Sequence, residues 1–268
     1  MKKHYLIIFF GFVIILSGIS GCFGPQTTDY FNHEYEVGDN TILKVTTING
    51  QIEINSYDGD TVTVNAIKKS SFGQEELDKI EIVVIEDENG LDIETKYFGQ
   101  RLTIPSVDMN IKVPKNVTVD SLTTSNGAIQ VSGVKGDVIA ISSNGAIFIE
   151  DVLGYVSATT SNGKIDVKKT TGIKDLKSSN LGINAEVFDF KDNVSISSSN
   201  GGISVYINTS LNANIEMTTS NGQISIKDVT LNIITSGDKH IEGLLGEGGN
   251  SLDIQTSNGN INLYKLEI

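Results

Sequence analysis

A short motif that returns eight times limits what this chain can fold into. It reads TTINGQIEI from Thr46, TTSNGAIQV from Thr123, ISSNGAIFI from Ile141, TTSNGKIDV from Thr159, SSNLGINA from Ser178, SSSNGGISV from Ser197, TTSNGQISI from Thr218 and QTSNGNINL from Gln255. Its asparagines are Asn49, Asn126, Asn144, Asn162, Asn180, Asn200, Asn221 and Asn258, and the steps from Asn126 onward are 18, 18, 18, 20, 21 and 37 residues. The last step is about two periods, with a degenerate copy, Thr235 to Asp238, near its middle. A fixed period of this length is the mark of supersecondary units stacked on one another.

Three residues past each asparagine stands isoleucine: Ile52, Ile129, Ile147, Ile165, Ile183, Ile203, Ile224 and Ile261. Five past it stand Ile54, Val131, Ile149, Val167, Ala185, Val205, Ile226 and Leu263. This alternation gives every copy a strand with one buried face. Asn-Gly between such strands is also the strongest short signal for a type I′ hairpin, so an antiparallel meander is the rival fold. Phase favours a solenoid, because identical residues at identical offsets stack like on like at ~4.8 Å per rung. Buried isoleucines then supply ~1.5–3 kcal/mol each, and stacked asparagine amides hydrogen-bond along the ladder. Gly136, Gly154 and Gly172, each ten residues after its asparagine, mark a second corner. The predicted fold is all-β: a single-chain parallel β-solenoid (β-helix) of ~18-residue rungs over 121–268, with an irregular β-rich N-terminal cap over 36–120. About seven rungs between Asn126 and Asn258 make a rod of roughly 35 Å.

The cap reads as strands at Ile42–Val45, Ile52–Asn55, Thr61–Ile67, Ile80–Ile85, Leu91–Thr95 and Met109–Val113, with Gln74–Lys79 briefly helical and Pro114 closing the last strand. Tyr264, Lys265 and Glu267 are expected to close the opposite end against edge-to-edge association.

The N-terminus carries targeting grammar. Lys2 and Lys3 precede an apolar run from Tyr5 to Leu16, and small or aliphatic residues lead to Cys22. The 12-residue run reaches only ~18 Å as a helix, short of a ~30 Å hydrocarbon core. Ile19-Ser20-Gly21-Cys22 resembles the lipobox of prokaryotic lipoproteins, which makes residues 1–21 a signal peptide, Cys22 the lipidated residue and 22–35 a tether. The alternative is an uncleaved N-terminal anchor. Either way the chain is exported, and its expected place is the outer face of the cytoplasmic membrane or the cell envelope.

The 268 residues hold 33 Asp plus Glu against 20 Lys plus Arg, and loss of Lys2 and Lys3 would take the net charge from −13 to −15. Such a chain is repelled by nucleic acid and by anionic headgroups, so the membrane partner is reached through acyl chains. One cysteine permits neither an intrachain disulfide nor a Cys-rich metal site. Past the signal only His33 and His240 remain, in no metal or triad spacing, and the abundant serines hold a structural phase without a Gly-x-Ser-x-Gly elbow. Asp58 with Asp60 and Asp87 with Glu88 read as solvated loop acids. Gly248 to Asp253 is faintly like a calcium-binding nonapeptide but occurs once, and reads as a turn. No catalytic residue, metal or cofactor is assigned. Phe148 takes the outward phase where other copies have Gln130, Asp166, Ser204 or Asn262, which makes it a candidate binding residue. The Thr/Ser column beside each asparagine reads as a buried or capped polar ladder, or else as a flat hydroxyl surface for glycans or ice.

The Ser-Asn-Gly-x-Ile repeats, the lead-in Ile111-Lys112-Val113-Pro114 and the ending from Gly246 to Gly259 resemble the putative-adhesin family of β-solenoid domains of unknown function, over about 40–268. That family belongs to bacterial and archaeal envelope proteins. The resemblance implies the fold and a surface location, and no particular ligand. The functional expectation is a non-catalytic lipoprotein scaffold that binds envelope glycans, cationic peptides or other surface proteins. The alternatives are a polysaccharide-active enzyme on a β-helix face and an envelope-stress sensor or regulator.

Overall fold

The computed structural model describes residues 26–88, 90–100 and 104–267. Cys22, and with it the proposed signal and anchor, lies outside them. The first part of the chain forms β1 (Thr27–Glu36), β2 (Ile42–Asn49), β3 (Ile52–Tyr57), β4 (Thr61–Ser70), α1 (Gln74–Leu77), β5 (Ile80–Glu86), β6 (Gly90–Tyr97) and β7 (Ser106–Pro114). The repeats form β8 (Thr118–Asn126), β9 (Ile129–Ser132), β10 (Ile139–Ser142), β11 (Ile147–Thr160), β12 (Ile165–Ser178), β13 (Ile183–Val187), β14 (Val194–Ser198) and β15 (Ile203–Ile207). They continue as β16 (Ala213–Thr219), β17 (Ile224–Lys227), β18 (Asn232–Ser236), β19 (His240–Leu245), β20 (Asn250–Thr256) and β21 (Ile261–Lys265). The architecture is all-β and β-solenoid-like. Among the described residues no helix is long and apolar enough to cross a membrane.

Each motif places one strand before its asparagine and one after it, so two sheets grow side by side. Before the asparagine, the order is β5, β6, β2, β8, β10, the second half of β11, the second half of β12, β14, β20, β16, β19 and β18. After it, the order is β1, β4, β7, β3, β9, the first half of β11, the first half of β12, β13, β15, β21 and β17. From β2 to β16 and from β7 to β17 every neighbour is parallel. Among the described residues antiparallel pairs appear only at the outer ends of the two sheets.

Register follows the motif. Ile52, Ile129, Ile147, Ile165, Ile183, Ile203, Ile261 and Ile224 pair in sequence along the second sheet. All are buried except Ile224, which sits on the last strand with nothing beyond it. Facing them in the first sheet stand Val45, Leu122, Ala140, Ala158, Leu176, Ile196, Ile254 and Met217, also in register. Large and small residues share this column, which lets the two inner faces fill one continuous core.

In four copies of the motif the chain turns sharply seven residues past the asparagine. Gly133, Asp151, Lys169 and Asp228 hold that place with φ of 70°, 56°, 48° and 59°. A left-handed residue turns the chain within one position. In the coils of Asn180 and Asn200 the same place falls on Val187 and Ile207, β-branched residues that stay in the strands. The chain must turn by a longer route there, and the period stretches to 20 and 21 residues.

Four expectations are corrected. The coils are not stacked in chain order at the C-terminal end: β20 and β21 insert between the coil of Asn200 and the coil of Asn221. The stretch around Thr235–Asp238 is no rung, because β18 and β19 run antiparallel and close the first sheet against β16. Tyr264 and Lys265 therefore cap nothing; they lie between β15 and β17, with Tyr264 stacked on Tyr206. The tether reading of 22–35 fails from Thr27 onward, since β1 pairs with β4 along its whole length. Its alternation turns Phe31, His33 and Tyr35 to the core side, where their rings line up, and leaves Tyr30, Asn32 and Glu34 exposed.

Truncating the centre of the isoleucine column tests this packing. Ile147→Ala is expected to destabilise the fold by about 2–5 kcal/mol in urea unfolding, whereas Ile139→Ala, on the exposed side of the opposite sheet, is expected to stay within ~0.5 kcal/mol.

Candidate functional site

The corner at each asparagine carries two parallel polar ladders. The outer one is made of amides. Asn126 Nδ2 donates to Asn49 Oδ1 at 2.5 Å, Asn144 to Asn126 at 2.6 Å, Asn162 to Asn144 at 2.7 Å and Asn180 to Asn162 at 2.6 Å. It continues from Asn200 to Asn180 at 2.9 Å, from Asn258 to Asn200 at 2.9 Å and from Asn221 to Asn258 at 2.8 Å. Every link after Asn49 is solvent-exposed.

The inner ladder is made of hydroxyls and is buried. Two residues before each asparagine, Thr124, Ser142, Thr160, Ser178, Ser198, Thr256 and Thr219 point into the corner. Ser142 Oγ donates to the Gly127 carbonyl of the preceding coil at 2.9 Å and accepts the Gly145 N–H of its own coil at 2.8 Å. Thr160 repeats this with Gly145 and Gly163, and Thr219 with Gly259 and Gly222. One hydroxyl thus satisfies a donor and an acceptor that would otherwise be buried unpaired. Both ends of the ladder are closed. Thr95 donates to Thr47 at the start, and at the finish the Lys239 ammonium donates to the Gly222 carbonyl, where no further hydroxyl arrives.

The glycine after each asparagine serves the same contact. A Cβ on Gly145 would stand 1.7 Å from the Gly127 carbonyl oxygen, and one on Gly163 would stand 1.8 Å from that of Gly145. Neither has positive φ, so the Asn-Gly pair here is not a type I′ turn. Backbone proximity between coils excludes a side chain. The exception is Leu181, whose side chain turns outward and is 48% exposed.

Outside the ladders lie two flat faces. On the first sheet Ser121, Ile139, Ser157, Asp175, Ser195, Asp253 and Glu216 form one column, with Thr123, Ile141, Thr159, Lys177, Ser197, Gln255 and Thr218 beside it. Partial burial pushes the Asp175 carboxyl above its usual range, with Lys177 pulling the other way. On the second sheet Phe148 is 40% exposed between Gln130 and Asp166, and three coils further on Tyr206 and Tyr264 stack with centroids 5.0 Å apart. Phe148 therefore stands apart from the other outward aromatics.

The remaining candidates lie scattered. His33 faces Tyr35 with ring centroids 4.5 Å apart, and His240 Nδ1 meets the Thr218 hydroxyl at 3.0 Å. Asp58 pairs with Lys115 at 2.8 Å in the open. The backbone of the Gly248–Asp253 turn is held by asparagines: Asn214 Oδ1 accepts Gly249 N–H, and Asn193 Oδ1 accepts Ser251 N–H. Among the described residues no group of three or more His, Cys, Asp or Glu is placed to hold a metal ion. The terminal lysine cap was not anticipated from sequence. Its signal was faint, a lone lysine 18 residues after Asn221.

Comparison with known proteins gives the following. The family profile described as Toastrack DUF4097 matches residues 43–264. A putative cell adhesion protein from Clostridium sporogenes is 15% identical, covers 88% of this chain and 100% of its own, and superposes with a TM-score of 0.34. A putative adhesin from Bacteroides fragilis is 11% identical over 87% and 96% of the two chains, with a TM-score of 0.33. A putative lipid binding protein from Parabacteroides distasonis is 16% identical over 88% and 97%, with a TM-score of 0.35. No curated protein matches the chain.

Two measurements probe the ladders and one the face beside them. Gly145→Ala is expected to destabilise the fold by about 1–3 kcal/mol in denaturant unfolding, while Gly38→Ala, where a Cβ meets nothing within 4 Å, is not. Thr160→Val, which orphans a buried carbonyl and a buried N–H, is expected to lose about 2 kcal/mol, against less than ~1 kcal/mol for the exposed Asn162→Ala. Asp175 has a native pKa above its unfolded one, so its ionisation opposes folding: the penalty is absent at acid pH and appears as pH rises through the native pKa. Asp175→Asn should accordingly raise the melting temperature at pH 7, with the gain vanishing in acid below the ordinary carboxylate range.

Proposed function

We propose that this chain, which belongs to the Toastrack DUF4097 family, is an exported, lipid-anchored scaffold that displays a rigid acidic β-structure for binding at the cell envelope and performs no catalysis of its own. The observation that carries this reading is the inner ladder: the most regular and most buried polar groups, the hydroxyls from Thr124 to Thr219, are engaged with backbone from neighbouring coils. A catalytic serine or threonine needs its hydroxyl free and a base within reach. Here the hydroxyl holds the fold together.

The scaffold is read as a single-chain parallel β-solenoid with 18-residue rungs between Asn126 and Asn180, supported by pairs such as Ile129 with Ile147 and Ile147 with Ile165. Its flat faces, one rich in hydroxyls and one carrying Phe148 and the Tyr206–Tyr264 stack, suit contact with extended envelope polymers or proteins better than enclosure of a small substrate. Anchoring is assigned to Cys22, with residues 1–21 removed, on the strength of the lipobox-like Ile19-Ser20-Gly21-Cys22.

Radiolabelled lipid fed to cells should enter the wild-type chain and not Cys22→Ser, with the variant released from membranes; equal labelling of the two would refute the anchor. The chain, once solubilised, should sediment with purified envelope fractions at modest salt. Failure to associate with cell wall, membrane or surface-protein fractions would remove the binding role.

A further inference from the structure

The ends of a sheet present backbone donors and acceptors to solvent, and proteins normally blunt such edges. Among the described residues β5 pairs with β6 alone. It is the outermost strand of the first sheet, seven residues long, and reads IEIVVIE without proline, glycine or lysine. The Lys79 carbonyl accepts from Phe98 N–H, and Asp87 N–H donates to the Gly90 carbonyl. In an antiparallel pair this directs the odd-numbered backbone groups between them toward β6 and those of Ile82 and Val84 outward, away from the sheet. Ile82, Val83, Val84 and Ile85 are all half-exposed. Such a strand is a template for another.

Its blunting is by charge. Residues 75–96 hold nine Asp plus Glu against two lysines. Glu81 and Glu86 bracket the aliphatic stretch, and Asp92 and Glu94 stand on the adjacent strand facing Ile85 and Val83. A second copy of β5 laid antiparallel about Val84, so that outward groups meet outward groups, would bring Glu81 of each chain against Asp87 of the other. Like charges directly opposite one another destabilise a pair, so the edge disfavours its own copy. An extended strand bearing lysine or arginine meets the reverse situation.

We propose that β5 is a docking edge for extended cationic peptide segments, which add to the first sheet as a further strand by backbone hydrogen bonds to Ile82 and Val84 and pair their basic side chains with Glu81, Glu86, Asp92 and Glu94. This deepens the envelope-binding reading, on which it rests, by giving it one partner chemistry and one place.

The test uses the full chain and a dye-labelled peptide of eight alternating lysines and valines, read by fluorescence anisotropy. Binding is expected, weakening steeply with added salt. A peptide of the same composition with alternate backbone amides methylated should bind about tenfold more weakly or worse, because it loses the edge hydrogen bonds. Val84→Pro removes an outward N–H at an edge position where proline is tolerated, and should weaken the parent peptide about tenfold with the circular dichroism spectrum retained. Should that variant unfold, Glu81→Gln with Glu86→Gln gives an independent reading through a weaker affinity and a shallower salt dependence. Equal binding of the methylated peptide would leave only non-specific attraction and overturn the proposal. So would equal affinity in both variants, or concentration-dependent dimerisation that Val84→Pro abolishes. Envelope sedimentation run in parallel separates the two levels: a chain that still associates with envelope fractions but ignores the peptide disproves the edge and keeps the scaffold.

Discussion

The structure depends on how closely one coil lies over the next at the asparagine corner. There the carbonyl of one glycine reaches so near the following glycine that no Cβ fits between them, and a buried hydroxyl bonds to both coils at once. This contact sets register. Because side chains alternate along a strand, a slip of one residue would turn the isoleucine column from Ile129 to Ile261 out to solvent. The hydroxyl two places before the asparagine and the isoleucine three places after it are therefore one device: the first selects the alignment and the second supplies most of the stabilisation.

An interior so fully specified leaves the outward positions free to vary. In adjacent coils the same outward place holds Gln130, Phe148, Asp166 and Asn184, with no change in the strand beneath. The inward place just before it, three residues past the asparagine, holds isoleucine every time. Regularity on such a scaffold reports folding, and departures from it are where selective contact is to be sought: an aromatic in a polar column, a tyrosine pair, an edge that ends differently from the others.

The uniform stretch from Asn126 to Asn200 was legible in sequence because like residues fall at like offsets, and that is the condition for stacking. The six strands of the cap were legible by alternation for the same reason. The order of the last coils was not. The motif at Asn258 presents the same Thr, Gly and Ile as the motif at Asn221, so it fits beside Asn200 as well as Asn221 would, and nothing local distinguishes the two neighbours. What distinguishes them is tertiary: β19 pairs antiparallel with β16 and brings Lys239 onto Gly222, which closes that coil as the final one. The Asn-Gly pair carries a meaning here other than its usual one. Its usual meaning is a left-handed turn, and here the glycine is required by a neighbour's carbonyl. The lipid anchor proposed at Cys22 is read from the sequence alone.

The sheets end in four strands, and the differences among them bear on what the scaffold can meet. β18 is five residues long with a register break between Ile233 and Thr235, and β17 is four residues long and finishes in Lys227. Short, broken or lysine-bearing edges discourage every added strand alike. β1 is longer, but on its exposed side Tyr30, Asn32, Glu34 and Glu36 offer no aliphatic run. Among the described residues only β5 is long, unbroken and aliphatic, and charge is what guards it. A guard of one sign discriminates, since it repels acidic strands, including its own copy, while leaving the backbone open to a basic one. In a chain whose net charge is strongly negative, that is the edge at which solubility and selective binding can be served by the same residues.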